Sequence, residues 1–139
     1  MTGAEVVEWR EGVWTRLHAA AQTGATQLCV FEQWCDPGRG APAHTHPGVE
    51  EAIVVLEGEA EVLVGEHVMS LRDGDSVVVP PDVRHGFSNT GPGKLRTLAV
   101  FASPSPPVVY ENEPGVVYAV GAAGGRRRDA HRTVMGASS

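Results

Sequence analysis

Between Thr26 and Phe101 the chain alternates short, valine-rich apolar runs with brief polar breaks. The runs are Thr26–Cys35, Glu51–Leu56, Ala60–Val64, His67–Leu71, Ser76–Val79, Gly86–Asn89 and Leu95–Phe101. The breaks carry Asp36-Pro37-Gly38, Pro47-Gly48, Glu57-Gly58, Asp73-Gly74, Pro80-Pro81-Asp82 and Gly91-Pro92-Gly93, residues that favour turns through a fixed or positive φ and local side-chain hydrogen bonds. The runs are too short for helices and no segment sustains a helical period, so they are read as strands. Several short strands at close, even spacing predict an all-β sandwich or barrel, with its core over residues 24–103.

The flanks read differently. Residues 1–23 contain Trp9, Val13, Trp14 and Leu17, enough apolar surface to pack as an extra strand on the barrel or on a partner chain. Residues 104–139 form an extension: after the stiff Ser103-Pro104-Ser105-Pro106-Pro107 connector, Val108–Val120 is read as an edge strand. The Gly-rich end with Arg126-Arg127-Arg128 is expected to be a mobile, solvated tail.

Composition narrows the field. A length of 139 residues suits one domain, and 42% hydrophobic with 20% charged residues is ordinary for a soluble globular protein. The net charge of −6 and scattered arginines offer no stripe to a phosphate backbone, so nucleic acid is not an expected partner. With acids and no apolar run in MTGAEVVEWREG, and no spanning stretch later, neither a signal peptide nor membrane contact is expected, and the location is read as cytoplasmic. Cys29 and Cys35 share one predicted strand and stand roughly 20 Å apart, beyond disulfide reach. They are expected to be free, buried thiols.

Chemistry gathers in two clusters, His44 and His46 with Glu50 and Glu51 close behind, and His85 further along. Histidines two apart on an extended chain point to one side, the Pro47-Gly48 turn lets a carboxylate return from the next strand, and His85 must arrive from a third. Gly38, His44, His46, Glu51 and Gly58 reproduce the first motif of the cupin superfamily: glycine, five residues, His-x-His, three or four residues, glutamate, six residues, glycine. Gly74, Pro80, His85 and Asn89 follow the second motif, with Asp82 where that motif has a glycine, and the fifteen residues Glu59–Asp73 separate the two. The chain thus resembles small microbial single-domain cupins. The interval to Gly58 selects Glu51 over Glu50, which would face the other side of its strand.

The resemblance implies a cupin-type double-sheet β-barrel of jelly-roll form, with a metal held by His44, His46, Glu51 and His85. Three imidazoles and one carboxylate suit a single divalent transition ion, with Fe, Mn, Ni, Zn and Cu all open. Alternation places Ile53, Val55, Phe87 and Asn89 on the ligand side, with Gln33, Arg84 and Arg96 as candidates near the mouth. Such a cavity suits a small, flat or hydrocarbon-bodied substrate bearing oxygen donors. Lys94, the only lysine, lies in a Gly-Pro-Gly-Lys turn, which argues against Schiff-base chemistry. No Gly-x-Ser-x-Gly elbow, phosphate-binding loop or helix-turn-helix segment is present. His18, His67 and His131 are read as structural or solvated.

The resemblance also implies a metal-dependent enzyme acting on an enol, phenol or dione, with a dioxygen-dependent dioxygenase preferred and Glu51 able to act as base. Redox-neutral alternatives are a cyclase, for example of aromatic polyketides, an isomerase or a decarboxylase. A non-catalytic small-ligand-binding module is the alternative from another class. A homodimer is expected, because proteins cover sheet edges and the aromatic N-terminal segment is available for it.

Overall fold

The computed structural model describes residues 5–121 and the short strand 132–134. Its strands are β1 (Val6–Arg10), β2 (Val13–Ala19), β3 (Cys29–Cys35), β4 (Gly40–Thr45), β5 (Glu51–Glu57), β6 (Glu59–Val64), β7 (His67–Arg72), β8 (Ser76–Val79), β9 (His85–Asn89), β10 (Leu95–Phe101), β11 (Pro107–Tyr110), β12 (Val116–Ala119) and β13 (Arg132–Val134). They form two antiparallel sheets, in the orders β1-β2-β3-β10-β5-β8 and β13-β12-β11-β4-β9-β6-β7. This is the double-sheet β-barrel of jelly-roll form that the motifs implied. Among the described residues no helix is long and apolar enough to cross a membrane.

Alternation along β10 shows how the interior is filled. Leu95, Thr97, Ala99 and Phe101 are buried while Arg96, Leu98 and Val100 are partly exposed, the period-two pattern of a strand with one face inward. Leu95 packs with Val13, Cys35, Val55, Ala60 and Val62 in one apolar cluster. Phe101 packs with Cys29, Ala99, Val108 and Tyr110 in a second. Between these ends of β10 lies Thr97, paired with Gln33, which is paired in turn with Thr15. A polar rung therefore crosses an otherwise apolar inner face.

The structure corrects several sequence expectations. The predicted strand from Thr26 begins at Cys29, because the partner strands end there: Phe101 pairs with Cys29 and Ala19 with Val30. The core is wider than residues 24–103, since Val13, Ala20, Val108, Tyr110 and Val120 are buried in it. The N-terminal segment is not one extra strand but a hairpin whose β2 runs along β3. Val108–Val120 is not one edge strand either: it forms two strands, of which β11 is internal, paired with β4 on one side and β12 on the other. β4 itself was not among the predicted runs, because Pro42 interrupts it and the strand bulges there. Ala41 pairs with Phe87 and His44 with His85, so three steps on β4 match two on β9. Arg126–Arg128 and His131 lie outside the described residues.

Candidate metal centre

The β4 bulge directs a ligand inward. Ala41 and Phe87 both face the interior cavity, so strict alternation would turn residue 43 inward and His44 outward; the extra residue reverses this. His44 then stands in a rung across the second sheet, opposite Tyr110 on β11 and His85 on β9. β4 and β9 approach closely, and a Cβ on Gly40 would fall 2.0 Å from the Phe87 carbonyl oxygen, so only glycine fits there. His46 follows β4 directly, and the Pro47-Gly48 turn returns the chain to Glu51 at the head of β5. Glu51 is 5% exposed, whereas Glu50 faces solvent.

His44, His46, Glu51 and His85 are all buried, and one ligand atom from each lies within 4.8 Å of the other three. Each imidazole is oriented from behind by a backbone carbonyl. Nδ1 of His44 donates to Pro42 O at 2.7 Å, Nδ1 of His46 to Pro107 O at 2.9 Å, and Nδ1 of His85 to Val83 O at 2.9 Å. A carbonyl only accepts, so in the neutral rings the proton sits on Nδ1 and the Nε2 lone pair is free. Such a backing bond is the usual way a protein fixes a metal-binding imidazole.

Those Nε2 atoms face the Glu51 carboxylate. Glu51 Oε1 lies 2.9 Å from His85 Nε2 and 3.1 Å from His46 Nε2. Nε2 of His46 is buried with no aligned hydrogen-bond partner. Burial, and then the neighbouring His85 and His46, push the His44 pKa down to about 3, so that ring is neutral. Burial alone would raise Glu51, but its contacts with His46 and His85 hold it at about 2, an ionised carboxylate. Three buried imidazoles and an ionised carboxylate whose ligand atoms converge on one another are what a bound cation would satisfy. The donor set therefore fits a divalent metal ion, and the group could hold one.

Asp82, in place of the motif's glycine, takes the left-handed backbone that a glycine would, with φ 69°. Its side chain adds something a glycine lacks: Oδ1 accepts from Gly48 N at 2.9 Å. This ties the loop before His85 to the turn between His46 and Glu51.

The cluster opens into a cavity of about 290 Å³, at the small end of the range for small-molecule sites. Gln33, Ile53 and Phe87 line it. Val55 and Asn89 do not, although both are buried. Val55 belongs to the cluster around Leu95, and the Asn89 amide is used internally, donating to Cys35 O at 2.9 Å and Gly93 O at 2.7 Å and accepting from Gly91 N at 2.9 Å. Arg84 and Arg96 do not reach the cavity. Arg84 pairs with Glu111 at the surface, and Arg96 with Glu32 at 2.6 Å on the outer face. His18 joins that outer pair, 2.7 Å from Glu32, and His67 is exposed. Cys29 and Cys35 are free and buried. Burial pushes both thiols up to about 12, which makes them poor ligands and nucleophiles.

Sequence reasoning missed Trp9, Arg10, Thr15, Thr97 and Tyr110, all of which line the cavity. Thr15 and Thr97 were findable in principle, because alternation from Val13 and Leu95 turns both inward. Arg10 and Tyr110 carried no such signal, since one depends on a bulge and the other on the long return of β11.

Comparison with known proteins agrees with this geometry. The cupin-domain family model matches residues 32–101, just over half of the chain, and the chain belongs to that family. It is 40% identical over 80 residues to protein SchB of Streptomyces halstedii, covering 58% of this chain and 55% of that protein. It is 35% identical over 84 residues to polyketide synthase CurC of Streptomyces cyaneus, covering 60% and 52%. The matched stretch thus spans about half the length of these curated relatives. Among solved structures, an RmlC-like cupin from Shewanella frigidimarina superposes with a TM-score of 0.64 at 27% identity, covering 73% of this chain and 85% of that one.

Proposed function

We propose that the protein is a metal-dependent enzyme acting on a small enolisable molecule, an enol, phenol or dione, bound in the cavity beside His44, His46, Glu51 and His85. The observation that carries this reading is the buried set of three carbonyl-backed imidazoles and one carboxylate, with one ligand atom from each within 4.8 Å of the others. A divalent first-row ion held there supplies Lewis acidity to a substrate oxygen and, if redox-active, a site for dioxygen chemistry. The protein residues do the rest. Backbone carbonyls hold the imidazoles in place, Ile53, Phe87 and Phe101 give the substrate body an apolar, water-poor wall, and Glu51, held ionised, completes the set that would hold the ion.

Two reaction types fit this site. Redox-neutral enolisation or ring closure is supported by the likeness to CurC, named a polyketide synthase. Dioxygen-dependent cleavage is supported by the apolar cavity alone. The test loads metal-free protein separately with Mn²⁺, Fe²⁺, Ni²⁺, Cu²⁺ and Zn²⁺ and follows the absorbance of a panel of polyphenols and 1,3-diketones in sealed cells, with oxygen monitored. Metal-dependent consumption without oxygen uptake supports the first type, and stoichiometric uptake the second. Tight binding without turnover under any metal would make the protein a binding module and end the enzymatic reading.

A further inference from the structure

The cavity wall formed by β1 carries a charge that the metal centre does not explain. Strict alternation would turn Arg10 outward with Val6 and Glu8. A bulge prevents this: Glu8 pairs with Trp14 and Arg10 with Val13, so two steps of β1 match one of β2. Val13 is fully buried, and Arg10, opposite it, brings its guanidinium to the cavity together with Trp9 and Tyr110. Bulges are common beside functional sites because they re-aim a side chain in this way.

The guanidinium meets only neutral acceptors there. Nη1 donates to Gly40 O at 3.1 Å and Nη2 to the Tyr110 hydroxyl at 2.6 Å, with Cζ 5.0 Å from the Tyr110 ring centre. Arg16, Arg39, Arg84, Arg96 and Lys94 each lie against a carboxylate. Among the described residues neither Arg10 nor Arg72 has one; Arg72 is exposed at the end of β7, whereas Arg10 lines the cavity, as Glu5 does. Trp9 Nε1 also donates to the Tyr110 hydroxyl, at 3.3 Å. A phenol oxygen accepts two hydrogen bonds and donates one, so with both acceptor positions filled its O–H is left to donate. The Tyr110 ring packs 5.3 Å from that of His44, so this residue borders the candidate metal centre. Arginine with unused N–H groups and a phenol with an unused O–H form a site of donors without an acceptor.

We propose that Arg10 and Tyr110 bind an anionic oxygen, a carboxylate or an ionised phenol or enol, of the small molecule that occupies the cavity. The proposal rests on the reading of the metal centre only for the orientation of that molecule, whose other oxygen faces the imidazoles. Arg10 is then the residue that selects anionic over neutral substrates.

The test uses the full-length protein, metal-free and zinc-loaded, and two probe pairs that differ in charge at one oxygen function. These are 2-hydroxybenzoate against 2-hydroxybenzamide, and ionised 4-nitrophenol against 4-nitroanisole, titrated by calorimetry. The metal-free protein is expected to bind at least one anion roughly tenfold more tightly than its neutral counterpart, the scale of one charge-assisted hydrogen bond. The pair that shows the preference identifies the source as carboxylate or phenolate. Arg10→Met should bring the ratio to about one, Arg10→Lys should keep part of it, and Tyr110→Phe should lower it. Equal binding within both pairs by wild type, or a preference that survives in Arg10→Met, would overturn the proposal. The wild-type ratio decides even if Arg10→Met does not fold. Zinc binding without any anion preference sinks this proposal and leaves the metal centre standing, whereas anion preference without zinc binding does the reverse.

Discussion

The metal-binding rung and the Arg10–Tyr110 wall line the same cavity, yet they are built by different means. The first comes from residues at fixed intervals between Gly38 and Asn89, each imidazole backed by a main-chain carbonyl. The second joins β1 to β11, with Arg10 and Tyr110 100 positions apart. Both depend on a β-bulge that turns one side chain from the outer to the inner face. The ligands of the rung sit at motif intervals, so it suits a constant task such as holding an ion. The wall is assembled from segments outside the motifs.

The difference predicts a ranking of effects. Replacing His44, His46 or His85 with Ala should lower metal affinity by more than the roughly 10–100-fold that loss of an outer-shell partner costs, with the circular dichroism of the barrel retained. Metal titration of the three variants checks this, and wild-type affinity in all three would remove them from the site. Substitutions elsewhere in the cavity lining, such as Thr97→Val, should leave metal affinity within about threefold of wild type, below the ~1 kcal/mol that separates ordinary from notable effects.

The neighbouring acids at the head of β5 sharpen the same contrast. Glu51→Gln keeps the volume but removes the charge, and should weaken metal binding roughly tenfold or more. Glu50→Gln should change stability by under ~0.5 kcal/mol and metal affinity not at all. A response to Glu50→Gln alone would mean that the strand register is wrong by one residue.

Glu32 tests a charge that belongs to neither region. It is buried on the outer face of the first sheet between His18, Arg16 and Arg96. Burial raises its pKa, but hydrogen bonds from His18 and Arg96 more than offset this, and the net shift is downward. Folding therefore favours the ionised form. Its contribution should be complete above the ordinary carboxylate value of 4.5 and should be lost as the pH falls through the lowered folded value. Glu32→Gln should cost ~1–2 kcal/mol at neutral pH, reduced from a fully buried pair because its partners are half-exposed, and should flatten the acid limb of the stability curve. Unchanged acid unfolding in that variant would contradict the assignment. A small effect is also expected at Asp82→Gly, where relief of the left-handed backbone roughly compensates the lost bond to Gly48, leaving stability within ~1 kcal/mol.

Fold and donor set were legible because both rest on local pattern. Valine-rich alternation announced β5, β6, β8 and β10, and the intervals around His44, His46, Glu51 and His85 sufficed to bring four ligands to one point. The cavity was legible only in part. Alternation counted correctly from Glu51 to Ile53 and from His85 to Phe87, but it says which face a residue occupies and not how far along the barrel it lies, so Val55 and Asn89 fell in packed regions away from the cavity. It also fails wherever a strand gains a residue, as β1 does before Arg10 and β4 does at Pro42. Tyr110 needed knowledge of which strand lies beside β4, a long-range pairing that no local pattern encodes.

The central claim, that three imidazoles and Glu51 hold one divalent ion, is tested most directly by X-ray absorption at the metal edge of protein loaded with Mn²⁺ or Zn²⁺ and then dialysed. The account predicts one ion per chain, a first shell of nitrogen and oxygen only, and outer-shell scattering from three imidazoles that falls to two in His85→Ala. An ion with sulfur in its shell, fewer than three imidazoles in the wild type, or no retained ion would contradict it.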